Sequence, residues 1–148
     1  MTTTLITGGN RSLGLETARR LIEAGHTVYA GMRDPDGGDA ARSLGAQVVR
    51  VDVTDQRSVE AAFAALPELD VLVNNAGILG AAYGVDDLTP HAMATVLDTN
   101  VTGIVRVTQA ALPLLRRSAN PVIVNVVATI DQGGPTGEFH DRTGRIAY

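Results

Sequence analysis

Short apolar runs alternate along this chain with longer segments in which apolar residues recur every three or four positions. Thr2–Thr7 reads as a strand. In Gly14–Ala24, Leu15, Ala18 and Ile22 share one helical face, and Gly25 closes the helix. The pattern then predicts a strand over His26–Met32, a turn cluster at Asp34–Gly38, a short helix over Asp39–Leu44 and a strand over Gln47–Val51. Thr54 or Asp55 caps a helix running to Leu66, where Pro67 stops it, and Leu69–Asn74 is a fourth strand. Thr89 and Pro90 suit a helix start, as cap and first helical residue. From there a long helix 91–117 is predicted, bent at Pro113. Asn120-Pro121 breaks it before a fifth strand, Val122–Val127, and the remaining DQGGPTGEFHDRTGR reads as loop by composition.

Strands that are almost continuously apolar, each followed by a helix, imply a parallel sheet covered on both faces. Right-handed crossovers favour an α/β doubly wound sheet in the order 3-2-1-4-5, as one domain over residues 1–148. The composition is 45% hydrophobic but only 3% aromatic, so small aliphatic residues must build the core. A net charge of −4 argues against nucleic acid and anionic membrane as general partners. There is no cysteine, which excludes disulfides, thiolate metal sites and thiol nucleophiles. The start, MTTTLITGG, lacks a basic segment and a long apolar segment, and no apolar run approaches the ~20 residues that span a bilayer. A cytoplasmic location is the expectation. All 12 basic residues are arginine, so any chemistry that needs lysine finds none in these residues.

The most informative stretch is TLITGGNRSLGLE, between the first strand and the first helix. In a doubly wound sheet, ligands bind at the carboxyl ends of the strands near the switch in strand order, and the first strand lies there. A glycine-rich turn leading into a helix N-terminus offers backbone N–H groups to a phosphate. Read alone, the stretch also fits a turn that only connects two elements.

With three further motifs the chain resembles the classical short-chain dehydrogenase/reductase family, in particular its carbonyl-reductase-like members. The family's TGxxxGxG loop reads here Thr7, Gly8, Gly9, Asn10, Arg11, Ser12, Leu13, Gly14. Asp52-Val53 follows the third strand, Asn74-Asn75-Ala76-Gly77 the fourth, and Asn100 lies in DTNVTG of the long helix. Ser12 departs from the pattern by replacing the family's middle glycine, where backbone approaches the cofactor pyrophosphate. The resemblance implies a Rossmann-type fold and NAD(P)-dependent hydride transfer to or from a carbonyl or alcohol carbon. It implies that Asp52 and Val53 meet the adenine and that Asn74 to Gly77 line the ribose. For Asp52 a plain turn or capping carboxylate is the competing reading, beside Thr54 and Asp55.

Charge bears on the choice of cofactor. NADP-binding members present basic residues where NAD-binding members place a carboxylate. Arg33 ends the second strand and Arg11 lies in the glycine loop, so two guanidiniums are available for a 2′-phosphate. NADP is therefore the expected cofactor and NAD the alternative, with Asp34 able to pair with Arg33 instead and both arginines otherwise ordinary surface residues.

On the same resemblance Tyr148 corresponds to the proton-donating tyrosine, Asn100 to the asparagine that supports a water, and Thr129 stands beside Ala128 where a substrate-binding serine is expected. The family's lysine, four residues past the tyrosine, has no counterpart. The family also continues with a long helix and further strands, so the chain reads as truncated after strand 5 and at the tyrosine. That leaves the phenol, with pKa near ~10, without its cation and beside the terminal carboxylate. Loss of most of the ~10²–10⁴-fold that general acid–base catalysis contributes is expected. A non-catalytic NADP(H)-binding or partner-binding module, or an inactive fragment, is the alternative function. Self-association is expected through helix 91–117, with Val96, Val101, Ile104, Val107 and Leu112 facing out, or through edge strand 122–127.

Overall fold

The computed structural model describes residues 1–79 and 88–126, together with the backbone of residues 139–141 and 144–146. Its centre is a five-stranded parallel sheet: β1 (Thr3–Thr7), β2 (Thr27–Met32), β3 (Gln47–Arg50), β4 (Val71–Asn74) and β5 (Val122–Asn125). The order is β3-β2-β1-β4-β5, as the alternating pattern predicts. The connecting helices are α1 (Ser12–Glu23), α2 (Asp39–Ser43), α3 (Gln56–Ala64), α4 (Pro90–Leu97) and α5 (Gly103–Leu115).

Successive strand side chains point to opposite faces, and here that divides the core in two. Leu5 and Leu72 pack with Val59, Phe63, Val107 and Leu114 on the side of α3 and α5. Their neighbours Ile6 and Val73 pack with Ala18, Val28 and Ala41 on the side of α1 and α2. Leu5, Ile6 and Leu72 are all wholly buried. One residue of slip would exchange the two sets, so the register is strongly specified. Glycines allow close packing on both faces: Gly31 sits against Val51, and Gly38 against Val48 and Met32.

The long helix differs from its sequence expectation. A π-helical segment, Asp98–Thr102, separates α4 from α5, and Pro113 lies within the last turns of α5. One extra residue in a turn rotates the remainder of the helix by about 100°. Val107, expected on the outer face, is therefore buried in the core, whereas Val101 is exposed. The outward stripe consists of Met93, Leu97, Val101 and Val105. The fifth strand stops at Asn125, short of the expected 122–127, and Val122, Ile123 and Val124 are all exposed along it. The tail, read as loop, contains a two-stranded antiparallel hairpin, β6 (Phe139–Asp141) with β7 (Gly144–Ile146), in which Phe139 is in register with Ile146. Glycine and proline upstream of the hairpin outweigh its short strands in a reading by composition. Among the described residues, no helix is long and apolar enough to cross a membrane.

The amino ends of the strands are joined through Asp70. Its carboxylate accepts from Ser118 Oγ at 2.5 Å and from Thr3 N at 2.8 Å, bringing together β1, the start of β4 and the segment before β5. These bonds, the one from Ser118 foremost, hold its carboxyl below the usual carboxylate range. A depressed folded-state pKa gives stability that is complete above the unfolded value, ~3.9, and is lost as the pH falls through the folded value. Asp70→Asn is expected to lower the melting midpoint at pH 7, and the gap from the wild type should narrow in melts taken at successively lower pH below the ordinary carboxylate range.

Candidate dinucleotide site

At the opposite end of the sheet, the carboxyl ends of β1 and β4 carry the glycine loop and the NNAG segment. The two are joined by a network that uses the whole bonding capacity of one hydroxyl. Thr7 is 2% exposed. Its Oγ1 accepts from Asn75 N and Ala76 N, each at 3.0 Å, and donates to Val73 O at 3.5 Å. Asn75 Nδ2 donates to Thr7 O at 2.9 Å and to Gly8 O at 3.3 Å. Thr7 and Asn75 thus act within the fold to hold the loop.

Two glycines make the loop possible. Gly8 has φ +69°, in the left-handed region. Gly14 is buried, and a Cβ on it would lie 2.3 Å from Gly8 O and 2.5 Å from Asn75 Nδ2. α1 can therefore start directly over Gly8 only because position 14 has no side chain. Ser12 has φ +47°. That left-handed angle is one a glycine adopts freely, and it costs roughly 1–2 kcal/mol for a residue with a Cβ. Arg11, in extended backbone at the cap position, makes no side-chain capping bond. Arg11, Ser12 and Leu13 are exposed, and Asn10 is half-buried in the turn before them.

Asp52 and Val53 lie past β3. Asp52 Oδ1 accepts from Thr54 Oγ1 at 2.7 Å and from Thr54 N at 3.0 Å, while its own N–H donates to Ser58 Oγ at 2.9 Å. Burial opposes its charge, but the Thr54 bonds and the nearby Arg33 and Arg50 outweigh it and hold the carboxyl below its ordinary value. The turn role and a ligand role are compatible, because the turn uses only one carboxylate oxygen. Val53 is buried, with its side chain and carbonyl against Gly103.

Arg33 is exposed at the end of β2. The pairing with Asp34 does not form: Asp34 Oδ1 accepts from Asp36 N at 3.0 Å and caps the short 3-10 turn Pro35–Gly38. The ion pairs among the described residues belong to Arg19, Arg20, Arg42 and Arg106, and neither Arg11 nor Arg33 takes part.

Asn74 is 3% exposed and gives its amide N–H groups to Asn125 Oδ1 at 2.9 Å and Thr108 Oγ1 at 3.2 Å, tying β4 to β5 and α5. Asn100 lies in the π-helical segment. Its Oδ1 accepts from Ile78 N at 2.9 Å and its Nδ2 donates to Ile78 O at 2.8 Å, which fixes the chain just past Gly77. Thr129 and Tyr148, the other residues expected near the reacting atoms, lie outside the described residues.

Sequence reasoning missed Arg106. Its guanidinium donates to Val53 O and to Asp98 Oδ1, the latter at 3.1 Å, and so joins the Asp52-Val53 turn to the helix that carries Asn100. Asp98 and Arg106 are eight residues apart, outside the three- and four-residue spacings at which helical ion pairs are sought.

Comparison with known proteins identifies the family and agrees with the fold. Residues 2–137 match the short chain dehydrogenase family. The chain is 34% identical over 131 residues to serine 3-dehydrogenase of Agrobacterium fabrum, covering 84% of this chain and 52% of the relative. It is 38% identical over 118 residues to the 3-oxoacyl-[acyl-carrier-protein] reductase MabA of Mycobacterium tuberculosis, covering 77% and 45%. Among solved structures, a variant of actinorhodin polyketide ketoreductase with NADPH superposes with a TM-score of 0.75 at 34% identity, over 84% of this chain and 52% of that one. The chain spans about half the length of these relatives.

Proposed function

The chain belongs to the short-chain dehydrogenase family, and we propose that its described residues bind NADP(H) as the dinucleotide-holding part of an oxidoreductase. The carrying observation is the glycine loop held by Thr7 and Asn75, with Arg11 and Arg33 exposed and in none of the ion pairs of the described residues. The residues fit such a ligand. Gly14 lacks the Cβ that would drive α1 off Gly8, and Ser12 retains the left-handed backbone that aims the loop's N–H groups. In this reading those N–H groups hold the diphosphate, Asp52 and the backbone of Val53 meet the adenine, Asn75 to Gly77 border the ribose, and Arg11 and Arg33 clamp the 2′-phosphate. Asn100 fixes the Ile78 segment beside it.

The bound dinucleotide supplies the hydride exchanged with a carbonyl or alcohol carbon. Tyr148 is the proposed proton donor to the substrate oxygen, and Thr129 the proposed hydroxyl that orients it. A second reading has its own support: Ala128 stands where the resemblance expects the substrate-binding serine. Binding without turnover is then the activity these residues perform by themselves. The exposed stripe of α4 and α5 and the exposed strand β5 support self-association, which sedimentation would contradict by finding a monomer at high concentration.

Calorimetric titration tests the reading. NADPH is expected to bind at least about tenfold more tightly than NADH. Losing a charge-assisted hydrogen bond costs ~1.5–3 kcal/mol, so Arg33→Gln should weaken NADPH roughly ten- to hundredfold and leave NADH unchanged. Failure to bind either dinucleotide would overturn the proposal. Binding with no reduction of any tested carbonyl would select the second reading.

A further inference from the structure

The turn that carries Asp52 is gripped from the helix packed on it. Val53 O lies against Gly103, where a Cβ would come within 3.2 Å of it, and accepts from the Arg106 guanidinium. Arg106 also donates to Asp98 Oδ1 at 3.1 Å, and its side chain is only 16% exposed. Asp98 and Arg106 stand eight residues apart, with the π-helical segment Asp98–Thr102 inside that span. A regular α-helix would leave them about 80° apart around its axis; the extra residue takes back about 100°, so both lie within ~20° of one face. Helical side chains lean toward the amino end, which carries the guanidinium toward Asp98. Arg106 is thus anchored to its own helix where it meets the turn.

The peptide unit between Val53 and Thr54 transmits that grip. It is planar and trans, so its C=O and N–H point in opposite directions. With Val53 O turned to Arg106, Thr54 N–H is turned to Asp52 Oδ1, which accepts it at 3.0 Å. The cation polarises the carbonyl and strengthens the bond on the other side of the same peptide. Oδ1 of Asp52 is therefore held, while Oδ2 makes no bond among the described residues. We infer that Arg106 is a positioning residue for base recognition: through the Val53–Thr54 peptide it aims the Asp52 carboxylate at the adenine amino group, without itself meeting the ligand. The inference rests on the NADP(H)-binding reading above and assigns to Arg106 a share of the selectivity for the base.

Base discrimination separates positioning from plain stabilisation. NADPH and its deaminated analogue, in which hypoxanthine replaces adenine, are titrated calorimetrically into the wild type, Arg106→Met and Asp98→Ala. The wild type is expected to bind NADPH roughly tenfold more tightly than the analogue, as a hydrogen bond to a charged group requires. Arg106→Met is expected to weaken NADPH about tenfold and the analogue by less than about threefold, so that the ratio of the two falls toward one. Asp98→Ala, which releases the guanidinium from its helix, should move the ratio the same way by a smaller amount. An Arg106→Met variant that loses affinity for both nucleotides equally keeps the ratio, shows that the grip serves the fold alone and overturns the inference. So does a wild type that binds the two nucleotides alike, which leaves dinucleotide binding standing. A wild type that binds neither overturns the NADP(H) reading and the inference with it. Should Arg106→Met fail to fold, Asp98→Ala decides, and an unchanged ratio there overturns the inference.

Discussion

Gly14→Ala is expected to lower the melting midpoint by about 6–12 °C and to weaken NADPH binding by about a hundredfold. The added Cβ would lie 2.3 Å from Gly8 O and 2.5 Å from Asn75 Nδ2. Neither atom can retreat cheaply. Gly8 is held in a left-handed conformation, and Asn75 Nδ2 is bonded to two main-chain carbonyls. The helix must move instead, which takes Ala18 out of the packing around Ile6 and Val28. Overpacking of this kind costs ~3 kcal/mol, at the upper end of the usual range, and 1 kcal/mol shifts the midpoint of a domain of this size by about 2–4 °C. The loss of binding follows because a displacement of ~1 Å in a positioning element costs on the order of 10²-fold. A thermal melt and a titration on the same sample check both parts. An alanine variant with wild-type midpoint and affinity would show that the helix start is not confined as described.

The second large effect is expected at Thr7→Val. The shapes are nearly the same, so the substitution removes a hydroxyl and little else. Asn75 N and Ala76 N would lose their acceptor in a partly buried place, and Val73 O would lose a donor. Each unsatisfied buried group costs ~1–3 kcal/mol, so two stranded N–H groups predict a loss of roughly 2–6 kcal/mol. Chemical denaturation would measure it. Thr7→Ser keeps the hydroxyl and is expected to recover most of the loss, whereas a serine variant as damaged as the valine variant would show that the hydroxyl does not carry the effect. Binding is expected to weaken in the valine variant in step with the loosening of the Asn75–Gly77 segment, because that segment is positioned from β1.

Most of the fold was legible because local pattern and global architecture agree. Leu5-Ile6 and Leu72-Val73 place apolar residues on both faces of one sheet, a pattern that only a covered parallel sheet explains. Thr89 and Asp55 cap their helices with the bonds their residue types suggest. The π-helical segment was not legible. An extra residue in a turn leaves an apolar pattern that still reads as helix, while the face beyond it rotates, which is why Val107 was assigned outward and lies inward. In the candidate site, the structure brings the glycine loop and the NNAG segment together at the carboxyl ends of β1 and β4, but the division of work within them was not legible. Thr7, Asn74 and Asn75 belong to motifs associated with ligand contact, yet their side chains bond to the protein. That could not be read from spacing, because it depends on which strand ends meet in space. The tie between Arg106 and Val53 was hidden for the same reason, its partner being 53 residues away.

The sheet is fastened at both ends of β1 by different chemistry: a carboxylate at Thr3 and a neutral hydroxyl at Thr7. Four residues of strand separate these points by about 13 Å, beyond the range at which substitutions usually couple. Tolerance of acid and the shape of the glycine loop therefore depend on side chains that can drift separately. A lineage of such chains can adapt to the acidity of its surroundings at Asp70 and Ser118 without reshaping that loop.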